Sequence, residues 1–305
     1  MKLCRAEFIS IRGVPDVTWN LARTAQATPV DVGVVTGGPS SGKTRLLEAI
    51  LAAKEVIAPY GLPIDGRPWL RPGETAAKIE LTFMLDESEQ LRAGGISAMA
   101  HTEALFSPTG CRAEIDDAFA SVLDRYEQAP GVGKVDYFAA NRGIAPQGPM
   151  HGLSDVEQRL YRLTRDQRKY SFIPRLLREL DLQPERRAWF SAALESLCPG
   201  LVYDVSSSRD GQRGFSSRGA EKSLLTELST TESEAVLFAA TATMVHHDRS
   251  ILLIDRPEQS AGERSIAAWV NGARHLGKDT QLLLASSSPA LLASVDPAAI
   301  LDLGG

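Results

Sequence analysis

Apolar residues in the first part of the chain recur with the spacings of strands and of one helix. Segments 3–11 and 16–22 predict two short strands around a Gly13-Val14-Pro15 turn. Residues 30–36 form a more continuous apolar run, which is typical of a buried parallel strand. After a glycine-rich turn, apolar residues recur every three or four positions over 43–57, and this spacing predicts an amphipathic helix.

The rest of the chain alternates between strand and helix patterns. Segment 153–196 is polar and helical, and several short helices are expected because Pro174 and Pro184 interrupt it. No heptad pattern persists there, so we expect no long coiled coil. Segment 201–217 predicts a hairpin around Asp210-Gly211. The other predicted strands are 76–85, 97–107, 111–115, 134–139, 250–254 and 280–286, and the other predicted helices are 116–128, 229–245 and 261–276, before a final helix-strand pair.

Composition narrows the class of protein. The 305 residues are 43% hydrophobic, which is enough for one large core or two ordinary ones and excludes a largely disordered chain. With 33 Lys and Arg against 38 Asp and Glu, the net charge is −5, so no overall basic excess indicates nucleic-acid binding. The three cysteines are far apart and outside CxxC spacing, which argues against a disulfide scaffold and a zinc ribbon.

The sequence predicts neither a membrane span nor a secretion signal. No run of 18 apolar residues occurs, and charges at Lys2, Arg5 and Glu7 stand where a signal peptide needs an apolar segment. We therefore expect a cytoplasmic protein with no membrane contact.

The strongest chemical signal is a glycine-rich loop between the strand at 30–36 and the helix at 43–57. Its eight residues match G-x-x-x-x-G-K-[ST]; they are Gly37, Gly38, Pro39, Ser40, Ser41, Gly42, Lys43 and Thr44. Glycines let such a loop curl so that its N–H groups face phosphate oxygens, and the helix N-terminus adds partial positive charge. Lys43 can reach the β- and γ-phosphates, and the Thr44 hydroxyl can bind Mg²⁺. The alternative is an ordinary strand-to-helix turn.

Two later segments carry the other candidate site residues. The apolar strand at 250–254 runs into Asp255, where a carboxylate can orient Mg²⁺; the alternative is an aspartate that only ends a strand. Ser229 and Glu232 have the spacing of a helix-capping box. The same segment also has a second interpretation, as a helix N-terminus that contacts the γ-phosphate of ATP bound to another subunit.

The order of these motifs resembles the ABC-class ATPases of the RecF, SMC and OLD-nuclease type. GGPSSGKT is followed by ELSTTESEAVLFAA, SILLIDRPE and QLLLASSSP, which are similar to the phosphate loop, LSGGE-like signature, LLIDEPE-like strand and THSP-like switch strand of that family. The resemblance covers most of 1–55 and 200–295. It implies an α/β P-loop NTPase of the ABC-head type, with a mixed sheet, flanking helices and a small helical insertion. It also implies that ATP is held between two subunits, in a homodimer or heterodimer.

The chain departs from this family where water would be activated. Arg256 stands in the position of the family's catalytic glutamate, and a guanidinium cannot accept a proton. Ser287 stands at the switch histidine, and Thr230 and Thr231 replace two signature glycines. We therefore expect ATP and Mg²⁺ to bind with slow or absent autonomous hydrolysis, unless a partner or a shifted residue completes the site. The candidate catalytic residues are Asp255, Glu258 and Ser287.

A basic stretch in the middle of the chain offers a candidate binding surface. Residues 159–178 include seven Lys and Arg against one acid, and four of the seven, spaced by three and four, define what we call the basic face: Arg159, Arg162, Arg165 and Lys169. This face predicts a solvated helix surface, a DNA-backbone contact or a docking site for an acidic partner. Tyr161, Tyr170 and Phe172 would suit stacking on single strands or would form the core side of the helix.

These observations divide the chain and frame its function. We expect an ATP-binding head formed by 1–144 and 200–305, with a helical inserted lobe at 145–199. Arg142 follows a predicted strand; the resemblance implies that it senses nucleotide, and the alternative is a surface salt bridge.

The resemblance implies a nucleotide-dependent dimerisation switch that works with a protein partner, a nuclease or effector, in bacterial DNA maintenance or phage defence. The alternatives are an autonomous ATPase that acts on DNA ends or recombination intermediates, and a degenerate subunit with a purely structural role.

Overall fold

The computed structural model of the chain describes residues 1–22, 28–61, 63–126, 128, 130–144, 153–209, 212–217 and 222–304. The strands in these ranges are β1 (Lys2–Ile9), β2 (Val17–Asn20), β3 (Val32–Thr36), β4 (Ala77–Met84), β5 (Met99–Ser107), β6 (Gly110–Glu114), β7 (Val135–Phe138), β8 (Val202–Arg209), β9 (Gln212–Ser216), β10 (Lys222–Leu224), β11 (Ile251–Asp255), β12 (Gln281–Ala285) and β13 (Ile300–Asp302). The α-helices are α1 (Lys43–Ile57), α2 (Glu87–Arg92), α3 (Asp117–Leu123), α4 (Asp155–Tyr161), α5 (Ile173–Leu180), α6 (Pro184–Leu197), α7 (Thr230–Val245), α8 (Glu258–Ala261), α9 (Ile266–Ala273) and α10 (Pro289–Ser294).

Two five-stranded sheets enclose helix α1. One sheet is parallel and has the order β13-β3-β12-β11-β7; the other is antiparallel and has the order β2-β1-β4-β5-β6. A third, three-stranded antiparallel sheet has the order β10-β9-β8. In the parallel sheet β3, β12 and β11 are neighbours, so the segments that follow these three strands meet at one edge of the sheet.

The parallel sheet is buried on both faces because successive side chains of a strand point in opposite directions. On β11, Ile251 and Leu253 pack in a core with α1 and the antiparallel sheet. Their neighbours Leu252 and Ile254 pack in a second core, on the opposite face. This two-sided burial explains why the strand is a continuous apolar run in the sequence.

The second core joins helices from the middle and the end of the chain. Leu177 of α5, Leu194 of α6 and Phe238 of α7 are completely buried in it. The helices expected in the inserted lobe therefore share a core with the helix that precedes β11. The division into 1–144, 145–199 and 200–305 stays a prediction.

The α/β class expected from the sequence is confirmed, with several sheets and flanking helices. Helix α1 has the predicted bounds, and each predicted strand outside segment 201–217 is present within two residues at either end. Helix 116–128 is shorter than predicted, and the segment at 261–276 begins its α9 helix only at Ile266. Strands β8 and β9 pair antiparallel, as predicted, while Asp210 and Gly211 lie outside the described residues.

Within the described ranges, no helix is long and apolar enough to cross a membrane.

Candidate functional site

The glycine-rich loop connects β3 to α1 and forms one wall of an open cleft of about 1040 Å³. Gly42 has φ 101°, and a Cβ built on it would lie 2.2 Å from the Gly13 carbonyl oxygen, so only glycine is compatible with this position. Gly37 has φ 142° at the start of the loop. The predicted loop residues line the cleft together; they are Gly37, Gly38, Pro39, Ser40, Ser41, Gly42, Lys43 and Thr44.

The loop presents unsatisfied donors to the cleft. Gly42 gives α1 no side-chain cap, and the first turn of this 15-residue helix carries no acidic residue. Its first N–H groups are therefore open to an anion. The Ser41 hydroxyl is buried and makes no hydrogen bond to any described residue. Lys43 lies across the loop, where its Nζ donates to the carbonyl oxygens of Gly37 at 2.8 Å and Gly38 at 2.7 Å. This donor set fits the phosphates of a nucleotide.

Thr44 and Asp255, the two residues predicted to bind Mg²⁺, lie next to each other. The Thr44 hydroxyl donates to Asp255 Oδ2 over 2.8 Å, although the residues are 211 positions apart in sequence. Asp255 is 2% exposed at the end of β11, and its burial raises the pKa of the carboxyl.

Mg²⁺ would find two protein oxygens here. Among the described residues, no group of three or more His, Cys, Asp or Glu side chains is placed to hold a metal. A magnesium ion held by Thr44 and Asp255 would take its other ligands from phosphate oxygens and water, as Mg²⁺ commonly does in nucleotide sites.

The switch strand β12 ends against the same cleft. The Ser287 hydroxyl donates to the Gly37 carbonyl oxygen over 3.1 Å, and the Ser286 hydroxyl donates to Glu258 Oε2 over 2.7 Å. Both Glu258 and Ser287 line the cleft together with Asp255, and the catalytic role of these three residues stays a prediction. Glu258 is engaged in holding the end of β12.

Arg256 adds a charge to the cleft instead of a base. It is exposed, lines the cleft and has φ 52°, a left-handed conformation that is uncommon for a residue with a side chain. Its N–H donates to the Ala285 carbonyl oxygen over 2.9 Å, which ties the turn after β11 to β12.

Arg142 forms a buried salt bridge with Glu234, so the expectation of a surface salt bridge is wrong, while a role in sensing nucleotide stays a prediction. Its guanidinium is completely buried behind Asp255, and each of its five N–H donors has an acceptor. The acceptors and donor–acceptor distances are Glu234 Oε2 at 2.9 Å, the carbonyl oxygens of Ala139 at 3.1 Å, Asp255 at 2.7 Å and Arg256 at 3.1 Å, and Ser260 Oγ at 2.8 Å. Arg142 thus connects β7, α7 and the turn after β11.

The capping box at the start of α7 is confirmed. Ser229 Oγ accepts from the Glu232 N–H, and Glu232 Oε2 accepts from the Ser229 N–H over 2.9 Å. Ser229, Thr230 and Thr231 are exposed, and none of them lines the cleft of their own chain. The signature segment is thus separate from the phosphate loop and accessible to another molecule.

The basic face expected from the sequence does not form a single surface. Helix α4 ends at Tyr161, and Lys169 belongs to a separate 3₁₀ turn, Gln167–Tyr170, so the helical spacing does not continue. Arg162 and Lys169 are buried, whereas Arg159 is partly exposed and Arg165 is exposed. The prediction of four cations on one exposed face is therefore wrong.

Asp136 is the buried counter-charge of Arg162. Arg162 Nε donates to Asp136 Oδ1 over 2.7 Å, and His247 Nε2 lies 2.9 Å from Asp136 Oδ2. Burial raises the pKa of Asp136, but the Arg162 charge and the His247 hydrogen bond lower it to about 2. The signal in the sequence is an aspartate inside the apolar strand Val135–Phe138, which needs a buried counter-charge. Tyr170 and Phe172 lie in the second core, which favours their interpretation as core side chains.

The chain is similar in structure to SMC head domains. No protein-family model matches the sequence, and no curated protein sequence matches it. The SMC head domain from Thermotoga maritima is 13% identical over 97% of this chain and 93% of that chain, with a TM-score of 0.52. The SmcHead bound to the C-winged helix domain of ScpA is 11% identical over 97% and 93%, with a TM-score of 0.59.

A third structure gives the same result. The Smc head domain with an extended coiled coil, bound to the C-terminal domain of ScpA derived from Pyrococcus furiosus, is 13% identical over 96% of this chain and 92% of that chain, with a TM-score of 0.56. The chain has the fold of an SMC head domain. This SMC-head fold is a P-loop ATPase fold of the ABC type, as the sequence predicts.

Proposed function

We propose that the chain is an ATP-binding module of the ABC type, in which ATP and Mg²⁺ control the pairing of two heads and hydrolysis is weak or depends on a partner. The observation that carries the proposal is the 2.8 Å hydrogen bond between Thr44 and Asp255. It joins the phosphate loop to the end of β11, and these two segments hold nucleotide and metal in P-loop proteins.

Nucleotide binding is supported by the donors of the loop. The open N-terminus of α1, the unpartnered Ser41 hydroxyl and the Lys43 ammonium all face one cleft. When phosphate enters, Lys43 exchanges its two loop carbonyls for phosphate oxygens. The phosphate oxygens of ATP would accept hydrogen bonds from these donors and balance the positive charge of Lys43.

Slow hydrolysis is supported by the side chains around Asp255. Arg256 presents a guanidinium, which cannot accept a proton from water. Glu258 accepts a hydrogen bond from Ser286, and Ser287 can donate to a phosphate but carries no charge. Loss of a general base typically lowers the rate by about 10²–10⁴-fold.

Pairing of two heads is supported by the place of the signature segment. Ser229, Thr230 and Thr231 are exposed, and they lie outside the cleft of their own chain. In the proposed pair, this helix N-terminus faces nucleotide held by a second head of the same chain or of a related one. ATP then favours the paired state because it binds that state more tightly than a single head.

The biological role is a further part of the proposal. Two of the similar SMC heads are bound to ScpA, and we propose by analogy that this chain also works with a protein partner, a nuclease or effector, in DNA maintenance or phage defence. Direct DNA contact has less support than the partner, because Arg162 and Lys169 are buried.

Two measurements test the proposal. Pairing is measured by light scattering of the purified chain in three conditions: with ATP and Mg²⁺, with ADP and Mg²⁺, and without nucleotide. We expect the mass to increase only with ATP and Mg²⁺, and we expect no increase in any condition for Lys43→Ala. A phosphate-release assay separates the switch from an autonomous ATPase. Fast turnover in the wild-type chain without a partner, lost in Lys43→Ala, would exclude the switch and favour the ATPase.

A further inference from the structure

Arg165 belongs to the predicted basic face, and its side chain lines the candidate nucleotide cleft. It lies between the end of α4 and the 3₁₀ turn at Gln167–Tyr170, and its side chain is 58% exposed. The same cleft is lined by Lys43, Thr44 and Asp255. A residue 122 positions after Lys43 in the chain is thus brought to the candidate phosphate site.

Glu48 holds Arg165 at this position. Glu48 lies one helical turn after Thr44 on α1, so both side chains are on the same side of the helix. Arg165 Nε donates to Glu48 Oε1, and this is the only hydrogen bond of Arg165 to the described part of the chain. The two terminal nitrogens of its guanidinium therefore remain available as donors.

The backbone around Arg165 is fixed by buried side chains on both sides. Arg162, three residues before it, is anchored on Asp136. Lys169, four residues after it, donates from Nζ to the carbonyl oxygens of Tyr137 at 2.6 Å, Thr164 at 2.8 Å and Arg162 at 3.1 Å. The Arg165 side chain thus extends from a rigid segment, which lowers the entropy lost when it binds an anion.

The charge of Arg165 also acts on the metal end of the cleft. Its pKa is raised by the hydrogen bond to Glu48 and, among weaker causes, by the Asp255 charge. Arg165 lines the same cleft as Thr44 and Asp255, which would hold Mg²⁺ beside the terminal phosphates of a bound nucleotide, so its guanidinium is placed within that part of the cleft.

We propose that Arg165 contacts the terminal phosphate of ATP bound at the phosphate loop, and that it exchanges Glu48 for this phosphate when ATP binds. The inference rests on the proposed nucleotide site and adds to it a cation from the segment between β7 and β8. Since an arginine can donate two parallel hydrogen bonds to phosphate, Arg165 distinguishes ATP from ADP.

Binding of ATP and ADP to three variants tests the inference. Calorimetric titration with Mg²⁺ should show that Arg165→Ala weakens ATP binding by about tenfold or more and changes ADP binding by less than about twofold. The matched control is Arg168→Ala: this arginine is 63% exposed and pairs with Asp166, and it does not line the cleft. The affinity of Arg168→Ala for ATP should equal that of the wild type.

The third variant separates a phosphate contact from a structural ion pair. Glu48→Gln removes the carboxylate that competes for Arg165, so ATP should bind at least as tightly as to the wild type. If the pair only held the two segments together, Glu48→Gln and Arg165→Ala would weaken ATP binding alike.

The outcomes that would overturn the inference are distinct from failure of the proposed function. Unchanged ATP affinity in Arg165→Ala, equal losses for ATP and ADP, or a similar loss in Arg168→Ala would each overturn it while nucleotide binding by the wild type still stands. Absence of ATP binding by the wild-type chain would overturn the proposed function and this inference together.

Discussion

Arg142 Nε donates to Glu234 Oε2 over 2.9 Å, and this buried ion pair joins the segment after β7 to helix α7. The same guanidinium binds the carbonyl oxygens of Asp255 and Arg256, so it also fixes the turn that follows β11. Helix α7 and Asp255 are therefore connected through one side chain.

Removal of the Arg142 guanidinium should be strongly destabilising. Arg142→Ala leaves Glu234 buried without its counter-charge, and breaking a buried pair in this way costs about 3–5 kcal/mol. Urea unfolding of the wild type, of Arg142→Ala and of Arg168→Ala measures this loss; Arg168 is an exposed arginine that pairs with the partly exposed Asp166. A loss below about 1 kcal/mol in Arg142→Ala would contradict the account of this ion pair.

Stability should fall in acid because of Asp136. Its pKa is about 2 in the folded chain, below the ordinary value of 3.8, so its stabilising effect is present above about pH 4 and is lost as the pH falls toward 2. The measurement is the free energy of unfolding in urea at steps between pH 5 and pH 2.5. Asp136→Asn should be less stable than the wild type at pH 6 and should lose less further stability over the acid range. Parallel curves for the two proteins would show that Asp136 is not responsible.

Asp255 should control the effect of Mg²⁺ on ATP binding. Asp255→Asn keeps the shape of the side chain but removes the charge that attracts the metal, so Mg²⁺ should strengthen ATP binding much less than in the wild type. ATP titrations with Mg²⁺ and with EDTA measure this effect. An equal gain from Mg²⁺ in both proteins would remove Asp255 from the metal site.

A base at position 256 should raise ATP turnover. Arg256→Glu puts a carboxylate next to Asp255, at the position of the catalytic glutamate in the ABC-class ATPases that the sequence resembles. We expect phosphate release at least about tenfold faster than in the wild type, and Arg256→Gln, which has the same shape but accepts no proton, should stay slow. Equal rates for the two variants would mean that the missing base is not what limits hydrolysis.

The sequence predicts best those elements whose pattern has a local cause. The glycine-rich loop between β3 and α1 is predicted from its glycines, and the buried strand β11 is predicted from its apolar run into Asp255. Helix α1 is predicted with correct ends because Gly42 in a left-handed conformation starts it. In each case neighbouring residues determine the structure.

The sequence fails where distant residues compensate one another. Arg162 and Lys169 have the spacing of a solvated helix face, but Asp136, 26 residues before Arg162, and backbone carbonyl oxygens draw them inward. The five acceptors of Arg142 come from four separate segments. Burial of a charged side chain depends on such distant partners, and no local sequence pattern indicates them.

Titration of ATP with Mg²⁺ into the wild-type chain and Lys43→Ala tests the central claim most directly. The Lys43 side chain lies across the loop, and its ammonium is the group that we expect to bind the phosphates. We predict saturable binding of ATP, one molecule per chain, to the wild type and a loss of at least about 100-fold in affinity for Lys43→Ala. No detectable binding to the wild type, or equal binding to both proteins, would contradict the account.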